Sequence, residues 1–389
     1  MPNHTNFQRH LNGLSFKLKT QFKKLYIILL KCLGFSLLNR EQTIKFLKYY
    51  LIKAQPENRI VLPDVENSAV TGTFTFRQRE AITDYAYVWR YNNADQKATQ
   101  LRNGAILIHS KVLCTDFYQS GFYKAMLKRN KRSHQVVKTL IAPWSQYLDG
   151  RAFGGYYDFV LLVAAKLCRM KDALPDNEFS ETAVCYPLFG MPYEPEYMAL
   201  LDIKSTQLID SRFCKVRFGN VILGNSGHWF YPNLADILSL KSHVESKLRL
   251  SQTHQNRIYV SRSGRRHVEN EKELIDLLKK FDFIVIEDKQ RSVEEQVEIY
   301  KNASFILGPH GASFTNIIWC EPGSHLFELF SPNYIRDHFL YLSRIMGMKY
   351  SAYSNYTAVE NQQTNYRQGE NIFVSIPELD RCLTGLLNS

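Results

Sequence analysis

Residues 304–329, SFILGPHGASFTNIIWCEPGSHLFEL, form the stretch that decides the fold of the second half of this chain. Their pattern predicts a strand, a tight turn, a helix and a second strand, at 305–307, 308–311, from about Ala312, and at 325–329. Glycines on both sides of Pro309 and His310 let the backbone approach a ligand closely. The unpaired N–H groups of a helix start attract anions, so the stretch indicates a phosphate site.

The preceding residues continue the same alternation of strands and helices. We expect strands at 258–261 and 283–286, a helix at 271–281, and a helix from Ser292 to about 302 that a capping box with Glu295 opens. Short links between such elements are typical of a parallel sheet wrapped by helices. Ligands of these sheets bind beyond the carboxyl ends of the strands, where the prediction places Arg262, His310 and Glu328.

Residues 257–329 resemble the signature half of glycosyltransferase family 61. The resemblance rests on a set of spaced motif residues: Ser261-Arg262, Arg266, Asn270-Glu271, Glu295-Gln296, His310-Gly311-Ala312, Asn316 and Glu328. It is weaker over 154–227 and absent before Pro56. The resemblance implies the α/β architecture called GT-B, with two Rossmann-like domains facing a cleft. It also implies an inverting enzyme with a nucleotide-activated donor, similar to bacterial members linked to capsular, exopolysaccharide or lipopolysaccharide synthesis.

The chain is long enough for two domains, and we expect four parts. Residues 1–55 form a basic amphipathic helical segment, and 56–63 a linker. Residues 56–230 form an N-terminal acceptor-binding domain and 231–375 a C-terminal domain that binds the nucleotide sugar. A last helix follows within 376–389.

A leaving diphosphate needs positive charge and N–H donors around it. The predicted donor site contains side chains and helix-start amides: Arg262, Arg266, His310, Gly311, Ala312 and Ser313. Glu328 is predicted to bind ribose or sugar hydroxyls, and Asn316 either contacts the donor or holds the His310 turn. There is no DxD motif, and Glu194 and Glu196 are expected in a proline-rich loop. We therefore predict no essential metal ion and no cofactor.

An inverting transfer also needs a base for the acceptor hydroxyl. The family carries a Gly-x-Tyr-His-Trp-Leu segment, and this chain has Gly155-Tyr156-Tyr157-Asp158-Phe159-Val160, so Asp158 replaces the histidine. Asp158 is the predicted base, with His310 as a second catalytic residue. Asp158 could equally be a helix cap or a paired surface acid, and the alternative bases are His109, Asp116 and Asp149. His228 and Trp229 either line the cleft or belong to the core.

Positive charge is concentrated at the beginning of the chain. Residues 1–55 contain ten Lys and Arg residues against the single acid Glu41, and so carry nine of the twelve net positive charges. Apolar residues recur at helical spacing between Phe22 and Leu37, but the run 25–38 is too short to span a bilayer. We expect this segment to lie on an anionic membrane surface, which places the protein in the cytoplasm on the inner face of the cell membrane. The alternative is a helix packed on the protein itself.

Composition narrows the remaining classes of function. The seven cysteines are scattered without metal-ligand spacing, which indicates reduced thiols. We find neither a basic recognition surface nor a nucleic-acid-binding motif, so the sequence does not predict nucleic-acid binding. The predicted activity is transfer of a sugar to a saccharide or lipid-linked oligosaccharide acceptor in cell-surface polysaccharide synthesis. The alternatives are a Golgi-type enzyme that modifies glycoproteins and a non-catalytic scaffold subunit of a polysaccharide assembly complex.

Overall fold

The computed structural model describes most of the chain in nine ranges: 21–22, 24–69, 74–83, 85–116, 131–143, 155–251, 253–331, 334–355 and 369–388. Within them the fold is mixed α/β with several sheets. Strands β1 to β14, in the first part of the chain, are Ser36–Leu37, Leu51–Gln55, Asn58–Leu62, Val65–Glu66, Phe74–Phe76, Arg79–Thr83, Ala86–Asn92, Ala98–Gln100, Ile106–Ile108, Lys111–Val112, Ser133–Ala142, Ala183–Tyr186, Leu208–Asp210 and Cys214–Gly224. Strands β15 to β19 are Asn256–Val260, Phe283–Ile286, Ala303–Pro309, His325–Leu329 and Lys349–Tyr353.

The helices pack on the faces of these sheets. Helices α1 to α10 are Arg40–Leu47, Tyr156–Phe159, Ala165–Lys171, Asp176–Ser180, Tyr193–Leu200, Leu234–Glu245, Glu271–Lys279, Val293–Lys301, His338–Ile345 and Ile376–Leu387. A π-helical turn, Val160–Ala164, joins α2 to α3, and its residues are all buried. The helix predicted from about Ala312 is present, as the 3₁₀ helix Ala312–Trp319. Six of its eight residues are buried, so it has no amphipathic period to guide a prediction.

The larger sheet belongs to the first half of the chain and has the strand order β13-β12-β11-β14-β7-β2. The first four of these strands are parallel, whereas β7 and β2 add in antiparallel fashion. Both β12 and the carboxyl half of β11 are buried. Strands that are buried on both faces are continuous apolar runs in the sequence and lack an alternating pattern. The short apolar runs of this half therefore predict the sheet less clearly.

The second sheet is fully parallel, with the order β16-β15-β17-β18-β19. Helix α7 follows β15, α8 follows β16, and the 3₁₀ helix follows β17. The predicted capping box opens α8, where the Ser292 side chain accepts from Glu295 N at 3.1 Å. The strand–helix alternation predicted from the sequence is confirmed here, and the strand order reverses between β15 and β17.

Three smaller sheets complete the fold, and two of them tie the halves together. Strands β1, β10, β9 and β8 form a four-stranded sheet, and β3–β6 and β4–β5 form two antiparallel two-stranded sheets. Next to β4, Asn67 forms a bridge with Ala352 of β19 and donates to Ser354 O at 2.7 Å. Residues early in the chain therefore pack on the second sheet.

Two predictions for the beginning of the chain are wrong. Residues 56–63 do not form a linker, because β3 pairs with β6 over its whole length. The helical segment does not extend to residue 55, because β2 pairs with β7 at the edge of the larger sheet. Helix is present at 24–32 and in α1, while residues 1–20 lie outside the described ranges. Both predictions failed for the same reason: these segments pair with distant strands, and local periodicity does not reveal such pairing.

Candidate functional site

The site forms where the strand order of the second sheet reverses, which is where open α/β sheets bind ligands. Arg262 follows β15 and His310 follows β17, so the reversal brings them together. Arg262 Nη1 lies 3.5 Å from His310 O. A Cβ at position 308 would lie 2.7 Å from Val260 O, so this point near the end of β17 requires glycine. The sequence prediction of one shared site for Arg262 and His310 is consistent with this geometry.

Two arginine side chains in this crevice have no acidic partner among the described residues. Arg262 donates from Nε to Arg265 O at 2.6 Å, and the Arg266 guanidinium lies 4.4 Å from the ring centre of Tyr334. Burial, followed by the charge of Arg266, lowers the pKa of Arg262 to about 10. Burial also lowers the pKa of Arg266. Partly buried cations of this kind favour an anionic ligand, because its charge would offset their lost hydration.

Behind the arginines, His310 belongs to a buried hydrogen-bonded chain. Its Nδ1 lies 2.5 Å from Glu328 Oε1, and Tyr350 donates to Glu328 Oε2 at 2.7 Å. Burial, followed by Arg266 and Arg262, holds the pKa of His310 well below its ordinary value. Burial raises the pKa of Glu328 to about 8. Glu328 is fully buried and both its oxygens have partners, so its position suits orienting His310 and does not support the predicted contact with ribose.

Asn316 connects the two halves of the chain. Its Oδ1 accepts from Tyr156 OH at 2.7 Å and from Trp319 Nε1 at 3.2 Å, and its Nδ2 donates to Gln296 Oε1 at 3.0 Å. Tyr156 belongs to α2, whereas the other three residues belong to the second half. These contacts join the 3₁₀ helix to α2 and α8, and Asn316 also lines the cavity described next, so both roles that the sequence left open stay predictions.

A cavity of about 460 Å³ lies between the halves, next to the switch point. Val260 and Ile286, at the carboxyl ends of β15 and β16, line one side, and Tyr156 and Tyr193 line the other. Ala312 and Ser313, at the start of the 3₁₀ helix, also line it. Buried hydroxyl groups of Tyr193 and Tyr300 have no hydrogen-bond partner within the described ranges. An aromatic cavity with unpaired polar groups, open to the predicted anion site, suits a nucleobase.

Asp158 lies at a junction of aromatic rings between the halves. Its Oδ1 accepts from Trp229 Nε1 at 2.9 Å. Trp229 stacks on Phe230 at 4.9 Å between ring centres, and Phe230 stacks on His338 at 4.3 Å and 7°. His338 in turn lies 6.0 Å from the His310 ring. The prediction that Asp158 is the base stays a prediction, and Trp229 lies at the junction of the two halves.

His338 was missed by sequence reasoning because it belongs to no motif. It begins α9, which follows β18, the strand that contains Glu328. The one sequence signal for His338 was its position shortly after the motif residue Glu328. The other proposed bases do not join this cluster: His109 contacts Tyr91 and Asp95, Asp116 accepts from Ser226 N, and Asp149 lies outside the described ranges.

A second unpredicted feature is a buried charged network beneath the loop 225–231. Arg169 of α3 pairs with Asp236 of α6 at 2.6 Å and donates to the carbonyl groups of Tyr87 and Asn225. Lys166 donates to Ser226 Oγ at 3.1 Å, and burial lowers its pKa to about 8. This network fixes the loop that carries Trp229 and Phe230.

Glu194 and Glu196 do not lie in a loop as predicted, since both belong to α5. Glu194 is buried and accepts from Gly190 N, and Glu196 accepts from Val293 N at the start of α8. Across the described ranges, no group of three or more His, Cys, Asp or Glu side chains is arranged to hold a metal ion. No disulfide joins any of the seven cysteines, all of which lie within the described ranges. None of the described helices is both long and apolar enough to cross a bilayer.

Comparison with known proteins agrees with this geometry. The family model described as Glycosyltransferase 61 matches residues 122–327, which is more than half of the chain. A Beta-1,2-xylosyltransferase of Arabidopsis thaliana is 36% identical over 61 residues, which are 16% of this chain and 11% of the relative. A Beta-1,2-xylosyltransferase of Oryza sativa subsp. japonica is 30% identical over 84 residues, 20% of this chain and 16% of the relative. The similarity thus spans less than a fifth of either relative.

Proposed function

Because this chain belongs to glycosyltransferase family 61, we propose that it transfers a sugar from a nucleotide-sugar donor to a saccharide acceptor with inversion at the anomeric carbon. The two half-buried arginines without an acidic partner carry this proposal. A leaving diphosphate would give Arg262 and Arg266 the counter-charge that the described residues do not. The amides of Gly311, Ala312 and Ser313, at the start of the 3₁₀ helix, would donate to its oxygens.

The arrangement of the halves supports a GT-B reading. A donor held at the switch point would place its base in the 460 Å³ cavity and its sugar toward the aromatic junction. In this proposal residues 56–230 supply most of the acceptor side and residues 231–375 the donor side. The contact of Asn67 with Ala352 makes the early two-stranded sheets an exception to that division.

Metal-free catalysis is part of the proposal. Paired guanidinium groups bind phosphate oxygens in a bidentate manner and supply charge that a divalent ion supplies in other transferases. His310, oriented by Glu328, adds a donor or acceptor at Nε2. EDTA should therefore leave the binding of the donor and its turnover intact.

The names of the two relatives narrow the choice of donor sugars and acceptors to test. Both are named for transfer of xylose in a β-1,2 linkage, which makes a nucleotide-activated pentose the first donor to test. Such a linkage needs a sugar hydroxyl as acceptor. The acceptor is then a cell-surface polysaccharide or its lipid-linked precursor, or alternatively a glycan on a protein.

Thermal unfolding with added nucleotides tests the donor site. Ligands that bind the native state raise the melting temperature by mass action. We expect UDP or another nucleoside diphosphate, and the matching nucleotide sugar, to raise it in the presence of EDTA. Release of the diphosphate with soluble saccharides then identifies the acceptor class. If no nucleotide shifts the melting temperature, the donor-site proposal fails and the scaffold alternative gains weight.

We further propose that the helix at residues 24–32 binds the surface of an anionic membrane. One face packs against the four-stranded sheet, with Leu30 only 5% exposed next to Ala105 and Val112. The opposite face leaves five large apolar side chains between 56% and 68% exposed: Phe22, Leu25, Ile28, Leu29 and Leu33. Exposed Lys24 and Lys31 accompany this face. An apolar face flanked by lysines is complementary to a bilayer that carries acidic lipids.

Vesicle co-sedimentation tests this surface. We expect the protein to bind vesicles that contain phosphatidylglycerol and to remain in solution with phosphatidylcholine alone. Leu25→Gln with Leu29→Gln should abolish binding, whereas Leu238→Gln, which alters a half-exposed leucine on α6, should not. Binding that survives the double change, or no binding to either vesicle, would refute the membrane proposal and with it the inner-membrane localisation.

A further inference from the structure

We infer that His338 is the residue that takes the proton from the acceptor hydroxyl. The inference rests on the proposed function and adds to it a catalytic side chain that belongs to no motif. It starts from geometry, because an imidazole lies where side chains of the two halves meet.

His338 occupies the junction of the two halves. Its ring stacks on Phe230 at 4.3 Å, lies 6.2 Å from the ring of Tyr157, and lies 6.0 Å from His310. Tyr157 is the direct neighbour of Asp158, and Phe230 follows the tryptophan that donates to Asp158. His338 is therefore connected by ring contacts to the α2 segment that carries the altered motif residue and to the predicted donor site.

The hydrogen bonds of these side chains favour His338 over Asp158. Asp158 Oδ1 already accepts from Trp229. The Nδ1 atom of His338 is buried and has no partner in the described part of the chain, which is costly for a polar atom that serves only packing. No hydrogen bond of the described residues uses Nε2, and this atom is not among the buried unpaired ones. Nε2 is thus the atom available to an acceptor hydroxyl.

The charge state is also suitable. Burial first, and then the neighbouring His310, lower the pKa of His338 to about 3, with Arg336 and His228 acting in the same direction and Asp337 against them. The imidazole is therefore neutral at neutral pH and can accept a proton. A bound diphosphate would raise this pKa by its negative charge, toward the range in which a base is effective.

The proposed step balances. The acceptor oxygen forms a bond to the anomeric carbon while the bond from that carbon to the diphosphate oxygen breaks. The hydroxyl proton moves to His338 Nε2, and the diphosphate leaves with its electron pair among Arg262, Arg266 and the amides after His310. Asp158 keeps the Trp229–Phe230 pair in place and so acts as a positioning residue.

Two variants test the base. His338→Phe preserves the stack on Phe230 but has no nitrogen, and His338→Gln retains a hydrogen-bonding group. We expect both to lower kcat about 10²–10⁴-fold for a nucleotide sugar that the wild type uses, while the Kd of UDP changes less than about threefold. Adding Asp158→His to His338→Gln, which places an imidazole at the other end of the Trp229–Phe230 contact, should recover part of kcat. His325→Gln, at the opposite end of β18, is the control for loss of a buried imidazole and should keep kcat.

The outcomes separate this inference from the proposed function. Wild-type protein that neither binds nucleotides nor releases a diphosphate refutes the proposed function. A His338→Phe protein with kcat within about threefold of the wild type refutes the inference alone. A second measurement needs no turnover: the nucleoside diphosphate that raises the melting temperature of the wild type should also raise the pKa of the His338 imidazole observed by ¹⁵N NMR. An imidazole that this bound nucleotide leaves unchanged lies outside the donor site, and this result also overturns the inference.

Discussion

The change Arg262→Gln separates a ligand-binding arginine from a structural one, because the two roles predict opposite effects on the unliganded protein. Arg262 is mostly buried, and its pKa of about 10 lies below the ordinary value of 12.5 because burial disfavours the charge and Arg266 repels it. A lowering of this size corresponds to about 3 kcal/mol against the charged form in the folded state. The hydrogen bond to Arg265 O offsets about 1 kcal/mol of this cost.

The sign of the effect follows from the direction of the pKa. The folded protein binds the Arg262 proton less tightly than the unfolded chain does, so the charge destabilises the fold at every pH below about 10. Removing the charge should leave the free energy of unfolding unchanged or raise it by up to about 2 kcal/mol. Charge-assisted hydrogen bonds to a diphosphate contribute about 1.5–3 kcal/mol. The same change should therefore raise the Kd of UDP roughly 10–150-fold.

Urea unfolding and isothermal titration with UDP measure the two quantities on one preparation. Arg257→Gln is the matched control, because Arg257 lies near the opposite end of β15 and donates to Phe281 O. It should lower stability slightly and leave the Kd of UDP unchanged. An Arg262→Gln protein that loses stability and keeps its affinity for UDP would contradict the argument.

Three further predictions follow from the contacts described. Glu328→Gln should remove a fall in the stability of the wild type as the pH rises from about 4.5 to about 8, because the carboxyl group has a pKa of about 8 in the folded protein and 4.5 in the unfolded chain. The expected slope is about 1.4 kcal/mol per pH unit. Urea midpoints at several pH values measure this, and parallel pH profiles of the two proteins would contradict it. Asn316→Ala should lower the free energy of unfolding by about 1–3 kcal/mol, because it breaks the contact between Tyr156 and the second half. Ser313→Ala, at a neighbouring residue without such a contact, should lower it by less than about 0.5 kcal/mol in the same unfolding experiment. Arg169→Met should cost about 3–5 kcal/mol because it leaves Asp236 buried without its partner, and Arg169→Met with Asp236→Leu should restore part of the loss; a double change as unstable as the single one would argue against the pair.

The second sheet could be predicted because its information is local. The strands β16 and β18 have the predicted bounds, and Ser292 caps α8 as expected, since each signal lies within a few residues of its element. The two-stranded sheets of the first half have no such local signal. β3 pairs with β6, some twenty residues away, and this pairing is set by contacts that neither segment encodes alone.

The positions of the candidate site residues could be predicted where sequence motifs coincide with strand ends. Arg262 and His310 meet as expected because parallel strands place their carboxyl ends on one edge. The contact of Glu328 with His310 could not be predicted, because the sequence motif is the same whether its glutamate faces a ligand or a buried histidine. His338 shows the limit of motif reasoning, since only the packing of Phe230 against α9 brings it to the junction.

The contact between Asn67 and Ser354 spans 287 residues of sequence and determines when the protein can finish folding. A ribosome adds about 5–20 residues per second, so strands β3 to β6 must wait on the order of 15–60 s for their partner strand. During that time the apolar side chains of these strands that pack on the second half, among them Leu62 and Val65, stay exposed, which favours association with other chains. Expression yield should therefore depend on chaperone supply and on translation speed between the two halves, more than on the stability of either sheet.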